Sequence, residues 1–143
     1  MPESISKRER IRKYGEVFTP PEVVSNMCDI LEEESPGAFA IEKTFLEPAC
    51  GDGAFILEIL RRKFAGCRAR EDYRAAIESV YGFELQADNV AACIANVTAL
   101  CREYFRPTKE DLQTISDHVI LCDGLKVMRM MARMNEREAV KWE

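Results

Sequence analysis

The sequence predicts an α/β fold, a parallel sheet with helices on both faces. Two observations carry that prediction. Three short apolar runs, Phe45-Leu46, Val80 to Leu85 and Val119 to Leu121, alternate with longer stretches of helical periodicity. Strands and helices in alternation connect as βαβ units, which makes the sheet parallel. Each run also ends on or near an acid: Glu47, Glu84 and Asp123. Right-handed crossovers place these three tips along one edge of the sheet, where ligands bind in such folds.

The first helix should begin in Phe18-Thr19-Pro20-Pro21-Glu22, with Thr19 as N-cap, Pro20 in the first helical position and Glu22 completing a capping box. Val23, Val24, Met27, Ile30 and Leu31 form its inner face, and Ser35-Pro36-Gly37 stops it. Phe45-Leu46 then leads through Glu47 into a Gly51-Asp52-Gly53 turn and a helix striped by Phe55, Ile56, Ile59, Leu60 and Phe64. Glycine there permits a positive φ and lets a ligand lie against bare backbone, and the free amides of the following helix can hold a carboxylate. Taken alone, Gly-x-Gly is equally a tight turn.

Arg61-Arg62-Lys63 reads as a solvated face near the end of that helix. A further helix covers Arg70 to Ser79, with Tyr73, Ala76, Ile77 and Val80 inward. The second strand runs from Val80 to Gln86 with Glu84 at its tip, placed to accept hydrogen bonds from both hydroxyls of a ribose, or else a helix-capping or surface acid. Glu84 lies 31 residues beyond Gly53, more than the roughly 20 of a dinucleotide fold, and the polar stretch 66–72 accounts for the excess. The longest helical pattern runs from Ala87 to Phe105 through Val90, Ile94, Val97, Leu100, Cys101 and Tyr104. Pro107 breaks it, and Thr108 starts a short helix through Leu112 and Ile115. His118 begins a buried third strand that ends at Asp123-Gly124, and Lys126 to Met134 forms a helix with its methionines inward. No acid or nucleophile is paired with His118, so it is not read as a general base.

With 143 residues the chain is long enough for one domain with a proper core and too short for two ordinary ones. Hydrophobic residues at 47% and charged residues at 31% exclude a disordered chain. No apolar run approaches the roughly 20 residues that span a bilayer, and the N-terminus lacks a signal core, so a cytoplasmic location is expected. Six scattered cysteines without a CxxC pair, and a single histidine, give no metal site and no disulfide framework; the cysteines read as small buried hydrophobes. The net charge of −5 excludes a chain-wide nucleic-acid surface. Lys7, Arg8, Arg10, Arg12 and Lys13 make residues 1–13 a basic arm, solvated or phosphate-contacting, ahead of a single domain at 14–143.

Glu47-Pro48-Ala49-Cys50-Gly51-Asp52-Gly53-Ala54-Phe55 closely resembles the first cofactor motif of S-adenosylmethionine (SAM) dependent methyltransferases, and most of all the branch that methylates adenine N6 in DNA. Gly15 to Val24 resembles the segment that precedes this motif in that family, and Gly82-Phe83-Glu84-Leu85 resembles its second motif. The segments stand in the family's order and cover about residues 13–125. The resemblance implies a Rossmann-like SAM-binding three-layer sandwich with a truncated sheet, S-adenosyl-L-methionine as cofactor, and DNA as the partner of the complete, restriction–modification type enzyme. It implies that Phe18, Thr19 and Pro20 line the methionine pocket, and that Glu47, Pro48, Ala49, Cys50, Gly51 and Gly53 wrap the methionine end. Glu84, with Leu85, takes the ribose, and Asp123, with Gly124, accepts the exocyclic amine of the cofactor's adenine.

The same family carries Asn or Asp followed by Pro-Pro and an aromatic residue, whose ring stacks on the flipped base. Here Pro20-Pro21 is followed by Glu22, so no catalytic residue is named. Two expectations follow: the cofactor half of a larger methyltransferase, inactive alone, or a small protein completed by a partner. A non-catalytic SAM-binding regulator or subunit, or a piece of an RNA or protein methyltransferase, are the alternatives. A sheet of three strands has unpaired edges, so a partner chain or a homo-oligomer is expected.

Overall fold

A computed structural model describes residue 6 and residues 18–141. Apart from Ser6, the basic arm lies outside the described residues. The described chain runs α1 (Pro21–Glu34), β1 (Phe45–Glu47), α2 (Ala54–Ala65), α3 (Arg70–Glu78), β2 (Val80–Glu84), α4 (Ala87–Tyr104), α5 (Lys109–His118), β3 (Val119–Leu121) and α6 (Gly124–Lys141). The strands form one parallel sheet in the order β1-β2-β3, flanked by helices, a truncated Rossmann-like sandwich. Glu47 stands opposite Gly82, and Glu84 opposite Leu121.

The core lies between the sheet and the helices α2 to α5. Ile56, Ile59, Leu60 and Phe64 of α2 meet Ala76 and Ile77 of α3, Val97 and Leu100 of α4, and Ile115 of α5. Val80 and Val119 supply the sheet side. Phe64 packs edge-on to Tyr73 at 5.3 Å, and Tyr73 stacks on Phe105 at 4.8 Å. Such pairs add to what area burial alone contributes. Thr108 caps α5 by accepting the Asp111 amide at 3.1 Å while Asp111 accepts the Thr108 amide at 2.8 Å, a reciprocal capping box.

Four expectations are corrected. The first concerns the start of α1: Pro20, not Thr19, is the N-cap, with ψ at 148°, and no side chain caps the helix. A residue that precedes proline is pushed out of the helical region, so Pro20 stays extended and Pro21 opens the helix. Glu22 then falls one position short of a capping box. Only Val24 and Cys28 of α1 are buried; Val23, Met27, Ile30 and Leu31 are exposed.

The second correction is Lys63, which is 1% exposed rather than solvated. Its Nζ donates to the carbonyls of Ala40 (2.8 Å), Ile41 (3.1 Å) and Lys43 (2.6 Å) and lies over the Phe45 ring. It pins the loop that enters β1. Arg62, half-buried, reaches Ser25 and Asp29 of α1 and Glu58 of its own helix, tying α1 to α2.

The third and fourth corrections concern the C-terminal end. His118 closes α5 instead of starting β3, stacking on Tyr81 with centroids 4.1 Å apart. Within β3 only Val119 is buried. The methionines of α6 point outward: Met128, Met130, Met131 and Met134 are all exposed, Met134 by 63%. Among the described residues β3 is an edge strand, and no further strand there extends the sheet surface for α6 to cover. Among the described residues, no helix is long and apolar enough to cross a membrane.

Candidate functional site

Because the strands are parallel, Glu47 and Glu84 end β1 and β2 at the same edge of the sheet, and Asp123 follows β3 there. The loop from Glu47 to Gly53 lies across that edge. Its backbone joins the sheet once more through the Cys50 amide, which donates to the Phe83 carbonyl at 2.9 Å. Gly51 has φ at 56° and Gly53 at 102°, values that side chains rarely adopt. A Cβ on Gly53 would also sit 2.9 Å from the Cys93 sulfur of α4, so that position is closed to larger residues twice over.

Glu84 organises the rim. Its Oε1 accepts the Gly51 amide at 3.2 Å, and its Oε2 accepts the Gln86 amide at 2.8 Å and Asn89 Nδ2 at 3.2 Å. It is 8% exposed. A carboxylate offers about four acceptor positions, and three of them are used within the chain. Glu47 Oε1 accepts the Ala49 amide at 3.1 Å, and burial pushes its carboxyl above the ordinary range. The Cys50 thiol is pushed up by its contact with Cys93 and by burial, which keeps it protonated and removes it as a nucleophile. Gly53 is the N-cap of α2 and offers no side-chain cap, which leaves the first-turn amides, at the positive end of the helix dipole, without a side-chain acceptor.

The sequence-derived residues fall as follows. Phe18 lies against Gly51, its ring edge 3.5 Å from where a Cβ would be. Thr19 and Pro20 lead from Phe18 into α1, Pro20 as its cap. Pro48 meets Gly124: a Cβ on Gly124 would overlap the Pro48 carbonyl oxygen and come within 2.9 Å of Phe83 Cβ, so only glycine lets the end of β3 close onto the loop. Asp123 Oδ1 accepts the Lys126 amide at 3.1 Å and thereby caps α6. Ala49 and Leu85 are exposed at the rim. Contacts therefore join Phe18 to Gly51, Gly51 to Glu84, and Pro48 to Gly124.

Sequence reasoning missed two supporting residues. Asn89 is buried in the first turn of α4 and steadies Glu84. Asn96, two turns on, donates Nδ2 to the Asp52 carbonyl at 3.0 Å. Asparagines at helical spacing behind an acid-tipped strand were the available signal. Among the described residues, no group of three or more metal-ligating side chains exists.

The family model described as N-6 DNA Methylase matches residues 6–104, well over half of the chain. The chain is also similar to the Type II methyltransferase M.VspI of Vibrio sp. (strain 343), 26% identical over 99 residues. That match covers 69% of this chain and 20% of the relative, so the chain spans about a fifth of the relative's length. No solved structure gives a significant match. The family match takes in Phe18, the glycine loop, Glu84 and both supporting asparagines, and on it the chain belongs to the N-6 DNA methylase family.

Proposed function

We propose that this chain binds S-adenosyl-L-methionine along the edge formed by the glycine loop, Glu84 and Asp123, and is the cofactor-binding portion of a restriction–modification type DNA adenine N6-methyltransferase. The observation that carries the reading is the bond from the Gly51 amide to Glu84, which couples the loop to an acid at the second strand tip. The residues suit such a ligand. Glu84 sets a carboxylate at the tip of β2, Gly51 presents bare backbone beneath Phe18, and the uncapped N-terminus of α2 favours a carboxylate. When bound, the cofactor supplies an electrophilic methyl group on a sulfonium.

In this reading Phe18, Thr19 and Pro20 bound the methionine end, and Glu47 to Gly53 wrap it. Glu84 and Leu85 hold the ribose, and Asp123 and Gly124 hold the adenine. The chain's own work is to bind, orient and exclude water, with positioning as its main contribution to rate. A segment of the Asn/Asp-Pro-Pro-aromatic type, supplied from outside these 143 residues, holds the target adenine of DNA. Residues 14–143 act as one unit in this scheme.

The test is calorimetric titration with SAM and with its demethylated product. The wild-type chain should bind both, and a Glu84→Ala/Asp123→Ala variant that keeps its circular dichroism should bind neither. A folded wild-type chain that takes up neither ligand refutes the reading.

A further inference from the structure

Among the described residues, two exposed apolar surfaces match one another. On α1, Val23, Met27, Ile30 and Leu31 form an exposed stripe, with Ile30 57% exposed. Met27 and Leu31 also line a cavity of about 280 Å³, floored by Phe45, Leu46, Phe55 and Ile59. The helix carries Glu22, Asp29, Glu32, Glu33 and Glu34 and no lysine or arginine. Glu22 and Glu33, at i and i+11, share one flank of the stripe, with Asp29 between them already paired to Arg62 at 2.8 Å.

Helix α6 is the complement. Val127, Met128, Met130, Met131 and Met134 fall on one arc of it, and the four methionines are exposed. Lys126, Arg129 and Arg133, at i, i+3 and i+7, flank that arc, and no acid occurs in α6 before Glu136. Methionine is unbranched and adapts to irregular cavities, and a basic flank beside an acidic one fixes the direction of docking.

We propose that α6 of a second copy of this chain docks on α1, with its methionine arc over the apolar stripe and its side chains entering the cavity between α1 and β1. Each copy carries both surfaces, so a two-fold axis closes the assembly with two identical seams. This inference does not rest on the cofactor reading, although the cavity shares Glu47 with the proposed cofactor edge. The matching charges single out α6 as the occupant, and the chain's own α6 leaves the stripe of α1 exposed, which favours a second copy; a further segment of a longer methyltransferase, or the chain's own α6 folding back, are the rival occupants.

The experiment is sedimentation of the full chain from about 1 to 500 μM, a range that reports dissociation constants down to micromolar. Wild type should move from one-chain to two-chain mass, and salt should weaken the association. Glu22→Lys/Glu33→Lys and Arg129→Glu/Arg133→Glu should each weaken it by about tenfold or more, since each sets like charges against one another along both seams. Mixed, the two variants should recover a 1:1 dimer, because each basic flank again meets an acidic one in both seams. Met131→Glu should remain monomeric while keeping its helical circular dichroism. A wild type that stays at one-chain mass overturns the proposal, as it would if either rival occupant were correct. Variants that dimerise unchanged, or a mixture that recovers nothing, overturn it as well.

Discussion

The glycine loop and the pair α1/α6 are opposite conditions of one chain. Around the loop, groups are already engaged: Gly51 with Glu84, Glu84 with Asn89, Asp52 with Asn96, Gly124 with Pro48. No buried side-chain polar atom among the described residues lacks a partner. On α1 and α6 the large apolar side chains face outward. The rim is held in shape by the chain's own bonds, and pre-organisation of that kind lowers the cost of binding. The apolar side chains of the flanks are exposed among the described residues, and a contiguous exposed apolar patch is the kind of surface that favours association.

Substitutions should separate the two regions sharply. The largest effect is expected at Lys63: Lys63→Met leaves three loop carbonyls without their donor and should cost about 3–5 kcal/mol, seen as a fall of about 10 °C or more in thermal midpoint. Gly53→Ala should cost about 2–4 kcal/mol in urea unfolding, from its φ of 102° and the approach to Cys93. A Gly53→Ala/Cys93→Ala double variant should recover part of that loss, and no recovery would assign all of it to the backbone.

Asp111→Asn should cost about 1–2 kcal/mol at neutral pH. Burial works to raise the Asp111 carboxyl, but hydrogen bonds from Thr108 and Arg74 outweigh it and hold the group below the usual carboxylate range. A carboxylate depressed in the folded state contributes fully above its unfolded value, about 3.9, and loses that contribution as pH falls through the folded value. Urea midpoints of wild type and Asp111→Asn should therefore converge below about pH 4. The smallest effect is expected on α6, where Met131→Ser and Met134→Ser should change the stability of the dilute chain by no more than about 0.5 kcal/mol. A cost above about 2 kcal/mol at α6 would mean that those methionines are buried in solution, and the contrast between rim and flank would collapse.

Local grammar made the sheet and the loop legible. Strand tips at Glu47 and Glu84, and two glycines between a strand and a helix, are short-range signals that the fold obeys, while Asp123 stands two residues past the end of β3. The start of α1 was misplaced by one residue because two prolines in succession compete, and the second forces the first to remain extended. The burial of Lys63 was not legible, since its partners lie 20 to 23 residues earlier in a loop without a pattern. The outward methionines of α6 are not legible in the sequence, because periodicity reports an apolar face and not what covers it. Asn89 escaped notice because its role depends on a contact with Glu84 that only the folded turn creates.

The buried ammonium of Lys63 also makes the molecule its own timer. Burial lowers that group to about 8, yet its nitrogen is sealed beneath the carbonyls of Ala40, Ile41 and Lys43. An amine-directed acylating reagent reaches it only when the loop ahead of β1 lifts away. Surface lysines such as Lys109 and Lys126 acquire the tag at once. The lag before Lys63 is modified, read by mass spectrometry, measures how often that corner of the fold comes apart.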